Sequence, residues 1–367
     1  MSYITAIGTA NPDHRFNQTT IADFMVQAMK LDGSNERKLR TLFKASGIDH
    51  RHSVIEDYGR KENFTFYPNG LASDHFPSTE TRLRAFRENA LPLSVRAVQV
   101  MLNQLPEFDV KKITHLVVVC CTGMYAPGLD IELVKSLKLA PTIERTCITF
   151  MGCYAAFNAF KVANACCKGS EDAKVLVVCT ELCSLHFQHT YSEDNLLANT
   201  LFADGSAAVL VEARTEQKKR FAMKAFHSDL ALEGENDMAW SIGDLGFEMK
   251  LTSYIPAIIK NGVSKLTDSL LSKIGKHIGD IRFFALHPGG VKILESIEKS
   301  LGITKSQNAP AYAVLKDYGN MSSPTVIFVL NELFKTMTSE HNDELILSLA
   351  FGPGLTLESM VLKIETT

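Results

Sequence analysis

The chain has 367 residues, 46% of them hydrophobic and 22% charged, which suits one large domain or two of ordinary size around a sizeable core. A formal net charge of −3 provides no basic field for a nucleic acid or an anionic membrane, so any polyanionic partner is small; the one local excess is Arg37, Lys38, Arg40 and Lys44. No apolar run approaches the ~18 residues of a membrane span, and MSYITAIGTANP has no basic stretch leading into a long apolar one, which predicts a cytoplasmic protein.

In chain order, short apolar runs alternate with segments of helical period, the pattern of an α/β layering. ITHLVVVCC (113–121) predicts a strand buried on both faces, and GCYAAFNAFKVANACCKGS (152–170) a helix closed by Lys-Gly-Ser. DAKVLVVCTEL (172–182) and ADGSAAVLVEAR (203–214) predict the next two buried strands. The second half then repeats this order with IRFFALHPGG (281–290), GNMSSPTVIFVLNELFKT (319–336), DELILSLAFGPG (343–354) and LTLESMVLKIE (355–365). The separation is nearly constant: 168 residues from Ile113 to Ile281, 167 from Cys153 to Asn320 and 170 from Val175 to Leu345. One unit used twice, with halves at 1–218 and 219–367, brings matched ends together at a shared centre.

The eight cysteines all fall between Cys120 and Cys183, in two adjacent pairs and four single positions, without a repeated C-x-x-C. That fits neither a disulfide framework nor a zinc site, so reduced thiols are expected, with Cys120, Cys147, Cys166, Cys167 and Cys179 in the core. Cys153 differs by its place. It and Asn320 are each predicted to open a central helix, and His287 ends a strand just before Pro288-Gly289-Gly290. A thiol at a helix N-terminus beside an imidazolium is expected to ionise near neutral pH and to attack thioesters, and His and Asn donors aimed at one point make an oxyanion hole. Taken singly, His287 also reads as a backbone-capped strand end and Asn320 as a helix cap; their coincidence at duplicated positions favours a site. Cys, His and Asn in this order also occur in papain-like hydrolases, but the C-G-[SA]-C-[WY] neighbourhood is absent.

MGCYAAFNAF, LFADGSAAVLV, LHPGGVKILESIE, DYGNMSSPTVIFVL and FGPGLTLESMVL, in this order, resemble the type III polyketide synthases, the chalcone synthase-like group of the thiolase superfamily, over nearly the whole chain. The resemblance implies a five-layered αβαβα fold of two duplicated halves, a homodimer, and no metal or redox cofactor, with coenzyme A thioesters as substrates. It implies Cys153 as the acyl-accepting nucleophile, with His287 and Asn320 serving malonyl-CoA decarboxylation and condensation onto an acyl-CoA starter. Phe202 and Phe247 match the two gatekeeper aromatics. Cys121, Thr122, Cys183, His186, Ser322 and Met238 match cavity-lining positions, and the differences from the plant enzymes at Cys121, Thr122, Cys183 and His186 count against a chalcone product. The aldol-associated hydroxyl and carboxylate set would become Cys121, Glu181 and Ser322, and Cys121 resembles bacterial members that make pyrones or resorcinols. Lys38 and Lys44 match the region that holds coenzyme A phosphates, and Gly289 and Gly290 would admit the pantetheine arm. An initiating 3-ketoacyl carrier-protein synthase and a non-catalytic acyl-binding module remain as alternatives.

Overall fold

The computed structural model describes residues 1–68, 76–235, 237–252 and 255–366. The chain begins β1 (Ser2–Ala10), β2 (His14–Asn17), α1 (Gln18–Ala28), α2 (Gly33–Ala45), β3 (His50–Ser53), α3 (Thr79–Leu102), β4 (His115–Cys120), α4 (Leu129–Ser136), β5 (Glu144–Thr149) and α5 (Ala155–Gly169). It continues β6 (Lys174–Leu182), α6 (Glu193–Leu201), β7 (Asp204–Glu212), β8 (Lys219–Leu230), β9 (Met238–Gly243), β10 (Gly246–Leu251) and α7 (Ile255–Ser272). It ends β11 (Ile281–Leu286), α8 (Val291–Leu301), α9 (Ala309–Tyr318), α10 (Thr325–Thr336), β12 (Leu345–Gly352) and β13 (Thr356–Thr366).

The sheet order, β11-β12-β13-β8-β1-β7-β6-β4-β5, shows the duplication directly. β4 runs parallel to β6, β6 antiparallel to β7, and β7 antiparallel to β1. β11, β12, β13 and β8 repeat those senses in the same sequence. The two sets meet where β1 pairs with β8 through Ser2, Tyr3 and Ile4. β5, added in parallel to β4 at one edge, has no counterpart at the other.

The continuous apolar runs of the strands follow from two-sided burial. In β4, Leu116, Val118 and Cys120 enter one core, shared with α1 and α3, while Val117, Val119 and the adjoining Cys121 enter another, shared with α5 and α10. α5 and α10 each pack on strands of both sets, α3 covers β1, β6 and β7, and α7 covers β8 and β13. The result is helix, sheet, helix, sheet, helix, as the resemblance implied, with the N-termini of the middle helices meeting inside the molecule.

Two expectations need correction here. Cys147 is exposed on the edge strand β5 and Cys166 is only half-buried, because the edge leaves one side of β5 uncovered; Cys120, Cys167 and Cys179 are buried. Asn320 lies a full turn ahead of α10 rather than at its first residue. Its backbone instead forms a bridge with Phe202.

Candidate active site

Cys153 sits in the turn that leads into α5, where the Ala155 N–H donates to the Gly152 carbonyl at 3.0 Å. Gly152 is needed there: its φ is +81°, and a Cβ would come within 2.6 Å of the Pro353 ring. Two residues earlier, Phe150 has φ +60°, a conformation costly for an aromatic residue and held by the packing around it.

Asn320 is fixed by its backbone and by its own amide. Its N–H donates to the Leu201 carbonyl at 2.9 Å, and its carbonyl accepts from the Ala203 N–H at 2.8 Å, which ties it to the segment carrying Phe202. Its Oδ1 accepts from the Ser322 N–H at 2.8 Å, in a turn that puts Ser322 at φ +58°. The side-chain amide also faces Cys153, whose Sγ lies 3.9 Å from both Nδ2 and Oδ1. His287 follows β11, its N–H bonded to the Leu349 carbonyl at 2.8 Å; the side chain is 2% exposed and neither ring nitrogen has a hydrogen-bond partner among the described residues.

Cys153, His287 and Asn320 meet at one cavity of about 260 Å³, which Phe202 also lines. Burial pushes the Cys153 thiol up to about 11, against the opposing pull of hydrogen bonds from Ser322 and Asn320, and pushes His287 down to about 3. Burial thus opposes ionisation of both groups and works against the thiolate that the helix terminus favours.

Cys121, Thr122, Cys183, Met238, Ser322, Gly289 and Gly290 also line this cavity. A Cβ on Gly289 would meet nothing nearer than 3.7 Å, whereas Gly290 has φ +154° and suits glycine for its backbone. The hydroxyl and carboxylate set differs from the expected one. Buried Glu181 accepts from Thr122 Oγ1 at 2.7 Å, from Ser323 Oγ at 2.7 Å, and from the Cys121 and Thr122 N–H groups. The Cys121 sulfur instead accepts from the Gly152 N–H at 3.0 Å, and the Ser322 hydroxyl is engaged with the Cys153 sulfur. Thr122 and Ser323 thus take the places assigned to Cys121 and Ser322, since each neighbour's backbone direction carries its side chain to the other side.

His186 and Phe247 lie outside the main cavity, on a small adjoining one. They stack at 4.1 Å between ring centroids and 6° between planes. His186 accepts the Phe247 N–H at Nδ1 (2.9 Å), which leaves the Nε2 proton to donate to the Thr122 carbonyl (2.7 Å). It is a structural histidine, held neutral by burial, with its pKa pushed down to about 3. Lys38 is exposed and paired with Glu193 at 2.7 Å, and Lys44 is exposed; neither lines the cavity, whereas their helix neighbours Leu42 and Ala45 do.

Sequence reasoning missed Trp240, Met249, Leu251 and Lys292, all on the cavity wall. β9 and β10 form a hairpin in which Trp240 faces Met249 and Met238 faces Leu251. Period-two alternation through MAWSIG and GFEMKL carries that signal.

A buried cysteine at the mouth of one central helix, an amide from the matching position and a histidine between them, on a duplicated five-layer fold, define an acyl-transferring condensing enzyme. The family follows from comparison with known proteins. Residues 1–215 match the N-terminal domain of the chalcone and stilbene synthases and residues 222–365 the C-terminal domain, so the chain belongs to that family and is a type III polyketide synthase. It is 32% identical to "Alpha-pyrone synthesis polyketide synthase-like Pks18" of Mycobacterium tuberculosis over 368 residues, covering 99% of this chain and 91% of the relative. It is also 32% identical to "Probable polyketide synthase 1" of Dictyostelium discoideum, of which it spans 11% of the length. Among solved structures, the C-terminal type III polyketide synthase domain of Steely1 from Dictyostelium superposes with a TM-score of 0.91 at 31% identity, over 100% of this chain and 99% of that one. PKS-I of the brown alga Ectocarpus siliculosus gives 0.90 at 29%, over 99% and 98%.

Proposed function

We propose that the chain extends an acyl-CoA starter with malonyl-CoA on Cys153 and releases a cyclised pyrone, resorcinol or related polyketide. The single observation that carries this reading is the cavity floor: Cys153 Sγ 3.9 Å from the Asn320 amide, with a buried, unpartnered His287 imidazole facing the same space. In loading, the neutral imidazole takes the thiol proton as Sγ attacks the starter thioester; the sulfur–acyl bond forms, and the coenzyme A thiolate leaves with that proton. In extension, the malonyl carbon–carboxylate bond breaks, carbon dioxide leaves, and the electron pair passes into an enolate whose oxygen receives hydrogen bonds from the imidazole N–H and the Asn320 amide. The enolate carbon then attacks the acyl-Cys153 carbonyl, and the sulfur leaves. None of these steps requires a metal or redox group.

Phe202, which lines the same cavity, keeps the malonyl carboxylate in an apolar setting that favours loss of charge. Lys44 and Lys292, exposed near the cavity mouth, are the cations we assign to coenzyme A phosphates, with Lys38 available if it gives up Glu193. The uncovered edge of β5, with Arg145, Thr146 and Cys147 exposed, supports assembly as a homodimer through that strand. Eight unpaired thiols fit a reducing, cytoplasmic setting.

The test is product mass spectrometry with malonyl-CoA and a panel of acyl-CoA starters. Cys153→Ala should abolish condensation, while His287→Ala and Asn320→Ala should each also slow malonyl-CoA decarboxylation by roughly a hundredfold or more. Unchanged decarboxylation in both would remove the donor roles. Products formed only from malonyl carrier protein would favour the initiating-synthase alternative.

A further inference from the structure

We infer that the starter is an aliphatic acyl group and that Trp240 is the wall that limits its length. The inference rests on the polyketide synthase reading and deepens it at the same site.

The cavity wall beyond Cys153 is apolar, and its few polar groups are already used. Thr122 Oγ1 donates to Glu181, Thr200 Oγ1 to the Leu196 carbonyl at 2.6 Å, and Thr252 Oγ1 to Asp237 at 2.6 Å. Ser46 Oγ donates to the Phe43 carbonyl at 2.7 Å, and the Trp240 indole N–H to the Cys121 carbonyl at 3.1 Å. The Ser322 hydroxyl is engaged with the Cys153 sulfur, and Lys292 is exposed. A phenolic or hydroxylated starter would exchange water for a mostly apolar wall whose few hydroxyl oxygens can only accept, whereas an alkyl chain gains apolar contact along its length.

The depth of that space is set at one place. The main cavity and the smaller one share Cys183, Phe202, Trp240 and Met249 as walls. Trp240 is the bulkiest of these, and it is held in position. Its indole is tied to Cys121, and its ring meets His186 at 5.9 Å and 82° and Phe247 at 5.8 Å and 86°. Met249, its cross-strand partner, closes the same partition with a flexible side chain. Removing either side chain opens the main cavity into the space lined by His186 and Phe247.

The test uses a series of saturated acyl-CoA starters of increasing length, a hydroxycinnamoyl-CoA and an ω-hydroxyacyl-CoA, each with malonyl-CoA. For the wild-type chain, kcat/KM should rise about fourfold per added methylene and then fall sharply once the chain meets the wall. The ω-hydroxyacyl starter should fall roughly tenfold or more below its parent. Trp240→Ala and Met249→Ala should both move the fall to longer chains, and Trp240→Phe should move it less while retaining the wild-type melting temperature. Because Trp240 is the single tryptophan, its fluorescence should change on titration with a non-reacting acyl-CoA thioether of the preferred length. A preference for the hydroxycinnamoyl starter overturns the aliphatic assignment, and an unmoved length limit in both alanine variants, folded by circular dichroism, overturns the wall. A fluorescence response without condensation from any starter would instead count against the polyketide synthase reading and leave the wall standing.

Discussion

Glu181 offers a measurable consequence of burial at the site. Its carboxyl is fully enclosed and is pushed from the ordinary 4.5 up to about 7 by desolvation, against the pull of Ser323, Thr122 and the Cys121 N–H. The folded state therefore holds the proton more tightly than the unfolded chain does. The stability linked to this group is fully present below about pH 4.5, declines as pH rises toward about 7, and is flat above it. Over that window the loss comes to about 3 kcal/mol. Glu181→Gln keeps the shape and cannot ionise; its carbonyl can still accept the two backbone N–H groups, and Ser323 can rotate its hydroxyl to accept from the new amide. The variant should match the wild type at pH 4 and below and exceed it by about 3 kcal/mol at pH 8, read as urea-unfolding midpoints by circular dichroism. A variant less stable than the wild type by the same margin at both values would show that four donors keep the carboxylate ionised, and would refute the primacy of desolvation.

Three further outcomes follow from the geometry. Alkylation of Cys153 by iodoacetamide, followed by peptide mass spectrometry, should keep accelerating above pH 8 because burial holds its thiol near 11; a plateau at Cys153 below pH 7 would reveal an ion pair with His287. Gly152→Ala, which forces a Cβ toward the Pro353 ring at φ +81°, should cost about 1–3 kcal/mol in stability and lower kcat more than it raises KM. Arg51→Met, which removes donors to Gln18 and to the Asn199 and Phe202 carbonyls, should lower stability by about 3 kcal/mol or more and loosen substrate discrimination at Phe202, measured by thermal unfolding and the starter panel.

The duplication was legible in the sequence because strands buried on both faces leave uninterrupted apolar runs, and β4 with β11 and β6 with β12 keep nearly the same spacing. Cys153, His287 and Asn320 were legible for the same reason, as polar residues at the ends of matched elements. What surrounds them was not. Neighbours such as Cys121 and Thr122, or Ser322 and Ser323, differ only in which way a turn throws each side chain, and Ser322 adopts φ +58°, a conformation its own residue type does not announce. His186 carried a lining role by position alone, while its two ring nitrogens are in fact both spent on backbone groups. Trp240 was within reach through the alternation of its hairpin, but nothing in that hairpin says which face turns inward.

The direction in which burial pushes Cys153 and His287, toward their neutral forms, bears on how one imidazole would serve two steps of the proposed mechanism. A group held as imidazolium could stabilise a thiolate but could not accept the thiol proton during loading; a neutral one can accept that proton, and pass it to the leaving coenzyme A sulfur. Once the acyl group is attached, Cys153 carries no charge, and burial continues to favour the neutral ring. The same ring is then a neutral N–H donor when the enolate forms. Such a donor, paired with the Asn320 amide, is a weaker acid than imidazolium, so it stabilises the enolate without protonating the carbon that must attack. In the proposed mechanism, burial, which at first sight works against the nucleophile, thus favours the neutral donors that both steps would use.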